Sequence, residues 1–396
     1  MLPFDPREFH DHVLKLNGIE AVFGVPDSTL SGLLSYFAAT QDVPQHIVLA
    51  NEGGAVGLAV GYYLSTRKVA LCYLQNSGYS NALNPLQSLA AKEVFGTPML
   101  LMIGWRGKPG IKDEPQHALI GPRLLSNLEA NDIPYEQIPD TIAQSKDTVA
   151  RLIATSLDKQ TPVALIVPPG AFSKYEGKAP LDSSPARRAG HVAATRWLSS
   201  ASDFGLSREQ VVRSVLAHMK DTDVSVSSLG GNSRELYMVR KARGESLGSN
   251  FFCIGAMGHA FAVANGVRMG APSSRRLFCI DGDGSFLMHV GNNAVLADIS
   301  QPGIVHVVIF NGVHSSTGSQ PLTISRNAFL AMAEGLGYQQ KFFVDEANGL
   351  ERALQQSSGG GSALIVVVAN TLVSDSLPRP SESPYELRDM FMKTLA

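Results

Sequence analysis

The stretch Asp281-Gly-Asp-Gly-Ser285, read together with Asn311-Gly312, carries the residue types best suited to chemistry in this 396-residue chain. Asp283 supplies a carboxylate, Ser285 a hydroxyl and Asn311 an amide oxygen. Gly282 and Gly284 allow the backbone to come close to a ligand. Asp283 and Asn311 stand 28 residues apart. That is the length of one crossover between parallel strands, so both side chains reach the same sheet edge. An Asp carboxylate, an Asn amide oxygen and a backbone carbonyl are hard oxygen ligands, suited to Mg2+ shared with a diphosphate. Gly-Asp-Gly and Asn-Gly are also common in turns. The strand–loop–helix setting, with a second ligand one crossover away, favours the functional reading.

These residues need elements to position them. Leu277–Ile280 is a short apolar strand that delivers the acidic loop, and residues 286–298 read as a helix whose N-terminus suits an anionic phosphate. Ile304–Phe310 is the next strand and ends at Asn311. The same pattern fills both halves of the chain. Ala21–Val25, His46–Ala50, Val69–Leu74, Pro98–Gly104 and Pro162–Pro168 are apolar strands in the first half; Asp223–Ser228 and Ala363–Val368 complete the second. Helices are expected after Asp5-Pro6, over Ala55–Leu64, after the Ser207…Gln210 capping box, over Ala260–Met269 and near Tyr385–Leu395. Continuous apolar strands alternating with helices predict parallel sheets covered on both faces, an α/β fold. Open sheets of this kind bind ligands at the C-terminal strand ends. The boundaries are a first domain over 1–172, a polar Pro- and Gly-containing linker over 173–205 and a second domain over 206–396. A loosely packed tail is expected over Ser374–Pro384.

Composition narrows the function classes. Hydrophobic content of 44% and charged content of 17% are ordinary for a globular enzyme. A net charge of −2 gives no reason to expect nucleic acid or an anionic membrane as partner. Cys72, Cys253 and Cys279 lie in apolar runs without metal spacing, and an odd count argues against a disulfide framework. No basic-then-apolar leader and no run of about 18 apolar residues is present, so a soluble cytoplasmic protein is expected.

Three matches in the right order make the chain resemble the thiamine diphosphate-dependent 2-oxo acid decarboxylases. They are the Asp281–Ser285 and Asn311-Gly312 pair, the strand ending in Asn51-Glu52-Gly53, and Gly255-Ala-Met-Gly258. Within that family the nearest resemblance is to the phosphonopyruvate branch and next to the sulfopyruvate branch. It is carried by Gly24–Ser28, Ala50–Gly53, Gln75–Gly78, Asn81–Pro85, Ile103–Gly107, Lys112–His117, Gly258-His259 and Asn311–His314. The resemblance implies two parallel-sheet domains, pyrimidine-type and diphosphate-type, with no middle domain between them. It further implies a homodimer or higher homo-oligomer with active sites at the subunit interface.

The resemblance assigns roles residue by residue. Glu52 would contact the aminopyrimidine ring of thiamine diphosphate, Gly255 would offer it a carbonyl, and Met257 would hold the coenzyme bent. Gly282, Gly284 and Ser285 would lie on the diphosphate, and Asp283, Asn311 and the Val313 carbonyl would bind Mg2+. Each has a plainer reading: Glu52 as a helix N-terminal acid favoured by the macrodipole, Met257 as core filling. The family's Asn-Asn-Gly is Phe310-Asn-Gly here, which keeps the ligand position. His314 is followed by Ser315-Ser316 rather than an acid, and Gly244–Asn250 lacks histidines; both departures bear on the substrate more than on the reaction.

The implied substrate is a small 2-oxo acid with a second anionic group, decarboxylated to an aldehyde. Ser28, Arg106 and Lys112 are the candidates to bind it, with Arg234 and Arg243 as further cations, although most loop Arg and Lys residues are simply solvated. Asp27, Glu114, His117 and His314 are candidates for proton transfer beside Glu52. A nicotinamide enzyme is disfavoured because no strand is followed by Gly-x-Gly-x-x-Gly. A catalytically silent partner of the same fold is disfavoured by the retention of Glu52, Asp283 and Asn311.

Overall fold

A computed structural model describes residues 3–40, 42, 45–177, 192–199, 205–299, 302–357, 361–372 and 377–396. The chain divides into two compact units, Met1–Tyr63 with Arg67–Arg187, and Leu64–Thr66 with Arg188–Ala396.

Among the described residues the first unit holds strands β1 (Ala21–Gly24), β2 (Gln45–Val48), β3 (Leu71–Gln75), β4 (Met99–Gly104), β5 (Tyr135–Gln137) and β6 (Pro162–Val167). They form one sheet in the order β2-β1-β3-β4-β6-β5, with every pairing parallel. β4 and β6 are buried along their whole length, as apolar runs in a covered sheet should be. The chain order reverses between β1 and β3. That switch point opens a crevice outside the carboxyl ends of the strands. The segments that emerge there are Val25–Ser28 after β1 and Asn76–Gly78 after β3, while Asn51-Glu52 follows the neighbouring edge strand β2. Asn51 caps the helix Glu52–Thr66, its Oδ1 accepting from Gly53 N at 2.9 Å.

The second unit holds β7 (Thr195–Trp197), β8 (Val224–Ser227), β9 (Asn250–Phe252), β10 (Leu277–Gly282), β11 (Ile304–Phe310), β14 (Gln340–Val344) and β15 (Ala363–Val368), with a small antiparallel hairpin of β12 (Val313–His314) and β13 (Gln320–Pro321). The large sheet runs β7-β14-β15-β11-β10-β8-β9, again parallel throughout. Its switch point lies between β8 and β10, and β11 ends beside it. The acidic loop and Asn311 therefore emerge at the edge where the topology opens a crevice.

The α/β reading and the two parallel sheets hold. Several local expectations do not. The helix after the acidic loop begins at Asp283, not 286, runs to Met288, breaks at His289 (φ −134°, ψ 44°) and resumes over Val290–Ile299. Asn293 Nδ2 donates to Phe286 O at 3.0 Å, satisfying a carbonyl near the break. Residues 195–197, expected as linker, pair with β14 as an edge strand. Of that stretch, 178–191 and 200–204 lie outside the described residues, as do 373–376 of the expected loose tail. The tail's described part is docked: Tyr237 Oη donates to Glu382 Oε2 at 2.9 Å and Lys241 Nζ to Glu382 Oε1 at 2.6 Å. No helix among the described residues is long and apolar enough to cross a membrane.

Candidate active site

In the second unit a cavity of about 110 Å3 lies at the carboxyl ends of β8, β10 and β11. This is below the roughly 300–1,000 Å3 that encloses a whole drug-sized ligand, so it suits one end of a coenzyme. One wall is acidic and oxygen-rich. Asp283 is buried, 4% exposed, as the first residue of its short helix. Its Oδ1 accepts from Gly284 N at 2.7 Å; its Oδ2 accepts from Asn311 N at 2.9 Å and Gly312 N at 2.7 Å. The two loops that the sequence places 28 residues apart are thus tied through one carboxylate. Burial lifts that carboxyl above the usual carboxylate range, against the pull of the three N–H donors. Asn311 Oδ1 accepts from Val313 N at 3.1 Å, which keeps the amide oxygen beside the same turn.

The opposite wall is rich in donors, and the sequence reading missed it. The helix Gly231–Ala242 starts here behind Gly230 (φ 79°) with no side-chain cap, so its first N–H groups face the cavity. Asn232 Nδ2 donates to Ser228 Oγ at 2.9 Å, and both line the cavity. Behind them Arg208 forms a fork with the buried Glu235, at 2.9 Å for each bond. The one signal in the sequence was Gly230-Gly231 shortly after the strand Asp223–Ser228, which reads equally well as a turn. An oxygen-donor wall facing an N–H wall fits a divalent cation shared with a diphosphate.

Met257, Ser285 and His314 also line this cavity. Gly258 N donates to Ser285 Oγ at 3.1 Å, joining the Gly255–Gly258 loop to the acidic loop. Ala256 holds φ 53°, unusual for a residue with a side chain, and marks strain at the loop's tip. A Cβ on Gly284 would stand 2.6 Å from His314 Cε1, so a side chain there would push the imidazole away, whereas Met257 Cε at 3.5 Å would be in ordinary contact. Arg234 and Arg243 do not line the cavity; Arg243 instead lies 3.7 Å from Glu245.

The first unit gathers a second group. Glu52 is the first residue of its helix and is 8% exposed. Its Oε2 accepts from Asn81 Nδ2 at 2.9 Å, and a Cβ on Gly78 would fall on its Oε1. Alanine at Gly78 is therefore expected to displace the carboxyl and slow turnover about tenfold or more, a rise of about 1.4 kcal/mol or more in the activation barrier. Steady-state kinetics beside a melting curve check this, because an unchanged rate in a folded variant denies Glu52 a role in the chemistry.

Asp27 is 4% exposed. Its Oδ1 accepts from Thr29 N at 3.1 Å, while Oδ2 has no hydrogen-bond partner among the described residues. Burial lifts its pKa, so it keeps its proton to higher pH than an ordinary aspartate. A side chain on Gly104 would collide with that Oδ2. His117 is buried with Nδ1 likewise unpartnered. Arg106 is not a solvated cation. Its Nε and Nη2 bind Asp113, with a closest contact of 2.5 Å, and its Nη1 donates to Ser28 Oγ at 2.8 Å. Lys112 and Glu114 are exposed on the same loop.

Comparison with known proteins decides the family. Residues 11–122 match the thiamine pyrophosphate enzyme N-terminal TPP binding domain, and residues 231–368 match the thiamine pyrophosphate enzyme C-terminal TPP binding domain. This chain belongs to the thiamine pyrophosphate enzymes. As such an enzyme it takes thiamine diphosphate as coenzyme. It is 30% identical to phosphonopyruvate decarboxylase of Streptomyces viridochromogenes, over 94% of this chain and 91% of that protein. It is 25% identical to sulfopyruvate decarboxylase of Methanosarcina acetivorans, over 100% of this chain and 99% of the relative. Among solved structures it shares its fold with benzoylformate decarboxylase of Polynucleobacter necessarius, with a TM-score of 0.70 at 14% identity, covering 94% of this chain and 100% of the other. Kinship with decarboxylases makes this thiamine pyrophosphate enzyme a carboxy-lyase.

Proposed function

We propose that this enzyme decarboxylates phosphonopyruvate to phosphonoacetaldehyde and CO2, using thiamine diphosphate and Mg2+ in the cytoplasm. The observation that carries the reading is the likeness to phosphonopyruvate decarboxylase over both units of the chain. When bound, the coenzyme supplies a carbon nucleophile and an electron sink for the pair released with CO2. The chain's own residues bind, orient and move protons. Asp283, Asn311 and the Val313 carbonyl would hold Mg2+, with Gly282, Gly284 and Ser285 against the diphosphate. Gly255 and Met257 would hold the pyrimidine end and the bend. Glu52, fixed by Asn81, would contact the pyrimidine and hold or release a proton at its carboxyl. Asp27, whose pKa burial raises, would give a proton to the product carbon, with His117 and His314 as its candidates for relay. Ser28, Arg106 and Lys112 would receive the second anionic group. We further propose that each coenzyme is held by Glu52 of one subunit and Asp283 of another, so the smallest active form is a homodimer. The free, buried Cys72, Cys253 and Cys279 support a reducing compartment.

Sulfopyruvate is the second reading. Asp113 balances the charge of Arg106, which suits a singly charged sulfonate better than a nearly doubly charged phosphonate. Side-by-side turnover of phosphonopyruvate, sulfopyruvate and plain pyruvate, with CO2 release measured, separates them. The highest kcat/KM is expected for phosphonopyruvate; a higher value for sulfopyruvate moves the assignment to that branch.

A further inference from the structure

Arg106 is held on several sides in the first unit's crevice, and Asp113, which the reading above counts only as a balancing charge, does most to fix its direction. The main chain at 106 is clamped on both sides by one amide: Arg106 N donates to Asn76 Oδ1 at 3.1 Å, and Asn76 Nδ2 donates to Arg106 O at 2.8 Å. The loop then turns at Gly107 (φ 68°), where a side chain would collide with the His117 carbonyl. It returns so that Asp113 faces the guanidinium. Asp113 accepts from Arg106 Nε and Nη2, from Gly107 N at 2.6 Å and from Glu114 N at 2.8 Å. The Arg106 bonds, first, and then these backbone donors hold its carboxyl well below the usual carboxylate range.

A guanidinium is a planar fork of five N–H donors. With Nε and Nη2 engaged on one carboxylate, its plane and direction are set. The Nη1 edge then points to Ser28, whose Oγ accepts at 2.8 Å on the exposed rim just after β1. Arg106 Nη1 and the Ser28 hydroxyl together make a two-donor seat for one oxygen-rich group, beside the buried Asp27. Bidentate geometry of this kind adds direction as well as energy.

We propose that Asp113 is a positioning residue for substrate selection: it aims Arg106 at the second anionic group of the 2-oxo acid. This rests on the 2-oxo acid reading above. Asp113 acts through Arg106 and touches no reacting atom. The competing account is an ion pair that merely holds the 106–117 loop in place. That account predicts equal damage to every substrate, because a misfolded loop does not distinguish them. Aiming predicts damage only where a second anionic group is present.

The test is Asp113→Asn, which keeps the shape and removes the charge, beside Asp113→Glu, which keeps the charge on a longer arm. KM and kcat are measured for plain pyruvate and for whichever of phosphonopyruvate and sulfopyruvate the wild type prefers. Thiamine diphosphate-induced thermal shifts run in parallel and are expected to stay at wild-type values. KM for the doubly anionic acid is expected to rise about tenfold in Asp113→Asn, as for loss of one charge-assisted bond, with pyruvate within about twofold. Asp113→Glu is expected to fall between. The ratio of the two KM changes is read from whichever variant is recovered folded. A ratio near one, through equal losses or none, overturns the proposal while leaving the decarboxylase reading intact. Wild-type turnover of plain pyruvate alone overturns the substrate reading and this proposal together.

Discussion

Glu52→Gln is expected to lower CO2 release by about 10²- to 10⁴-fold, the usual contribution of a positioned acid–base group, while coenzyme binding stays near wild type. The expectation follows from how the side chain is held. Asn51 caps the helix at whose first position Glu52 sits, so the backbone there is fixed before any ligand arrives. The carboxyl is buried, and one oxygen accepts from Asn81 Nδ2. The other lies over Gly78, where no side chain could stand. Glutamine has the same shape, and its amide oxygen can still accept from Asn81. The substitution therefore removes the capacity to exchange a proton and little else. Coenzyme binding is read from the rise in melting temperature, since a ligand at about 100 times its Kd stabilises by roughly 2.7 kcal/mol. A preserved shift with lost turnover separates chemistry from binding. Normal turnover with a normal shift would remove Glu52 from the mechanism.

How far the sequence disclosed this site depends on whether each part is a local or a tertiary property. Asp283 and Asn311 were legible because their positions follow from apolar runs and one crossover length, both local patterns. Two of the three N–H groups converging on Asp283 were not, since they depend on where the Asn311-Gly312 turn comes to rest. The helix starts three residues earlier than the sequence predicts because Asp-Gly-Ser reads as loop; in the fold, Gly282 serves as the cap and helix begins at Asp283. β14 was hidden by Lys341, a charge that argues against a buried strand. Its Nζ donates to the carbonyls of Glu334 and Val192 at 2.7 and 3.1 Å, so the burial is satisfied. β5, Tyr-Glu-Gln, is a partly exposed edge strand with no apolar run to announce it. Ser228 and Gly230–Asn232 read as a turn by composition, and only the sheet order brings that turn beside β10. Arg106 looked like an available cation; its partner lies seven residues on, across a fold of the loop. Paired ends of strands were therefore readable, and side chains that close across loops were not.

Asp283→Asn is expected to abolish most of the stabilisation that Mg2+ and thiamine diphosphate confer together. The carboxylate does two jobs. Towards the protein it accepts from Gly284, Asn311 and Gly312; towards the cavity it would offer negative charge to a cation. Asparagine has one acceptor oxygen and, in place of the second, an NH2 group that only donates. If its amide oxygen takes the place facing Asn311 and Gly312, its NH2 confronts the Gly284 N–H. The reverse placement confronts two donors. The less costly placement still leaves one N–H unpaired, a loss of about 1–3 kcal/mol. Against this, the variant no longer buries a charge, a burden visible in the raised pKa of Asp283. The protein without ligands should therefore lose less than the hydrogen bond alone implies, and the ligand-dependent part should lose nearly all. Melting curves with neither ligand, with each and with both, on wild type and variant, resolve the two contributions. A loss of equal size with and without the ligands would mean that Asp283 only ties the loops together. A rise in melting temperature with Mg2+ and coenzyme that the wild type shows and the variant lacks would mean that its second role is to hold the cation.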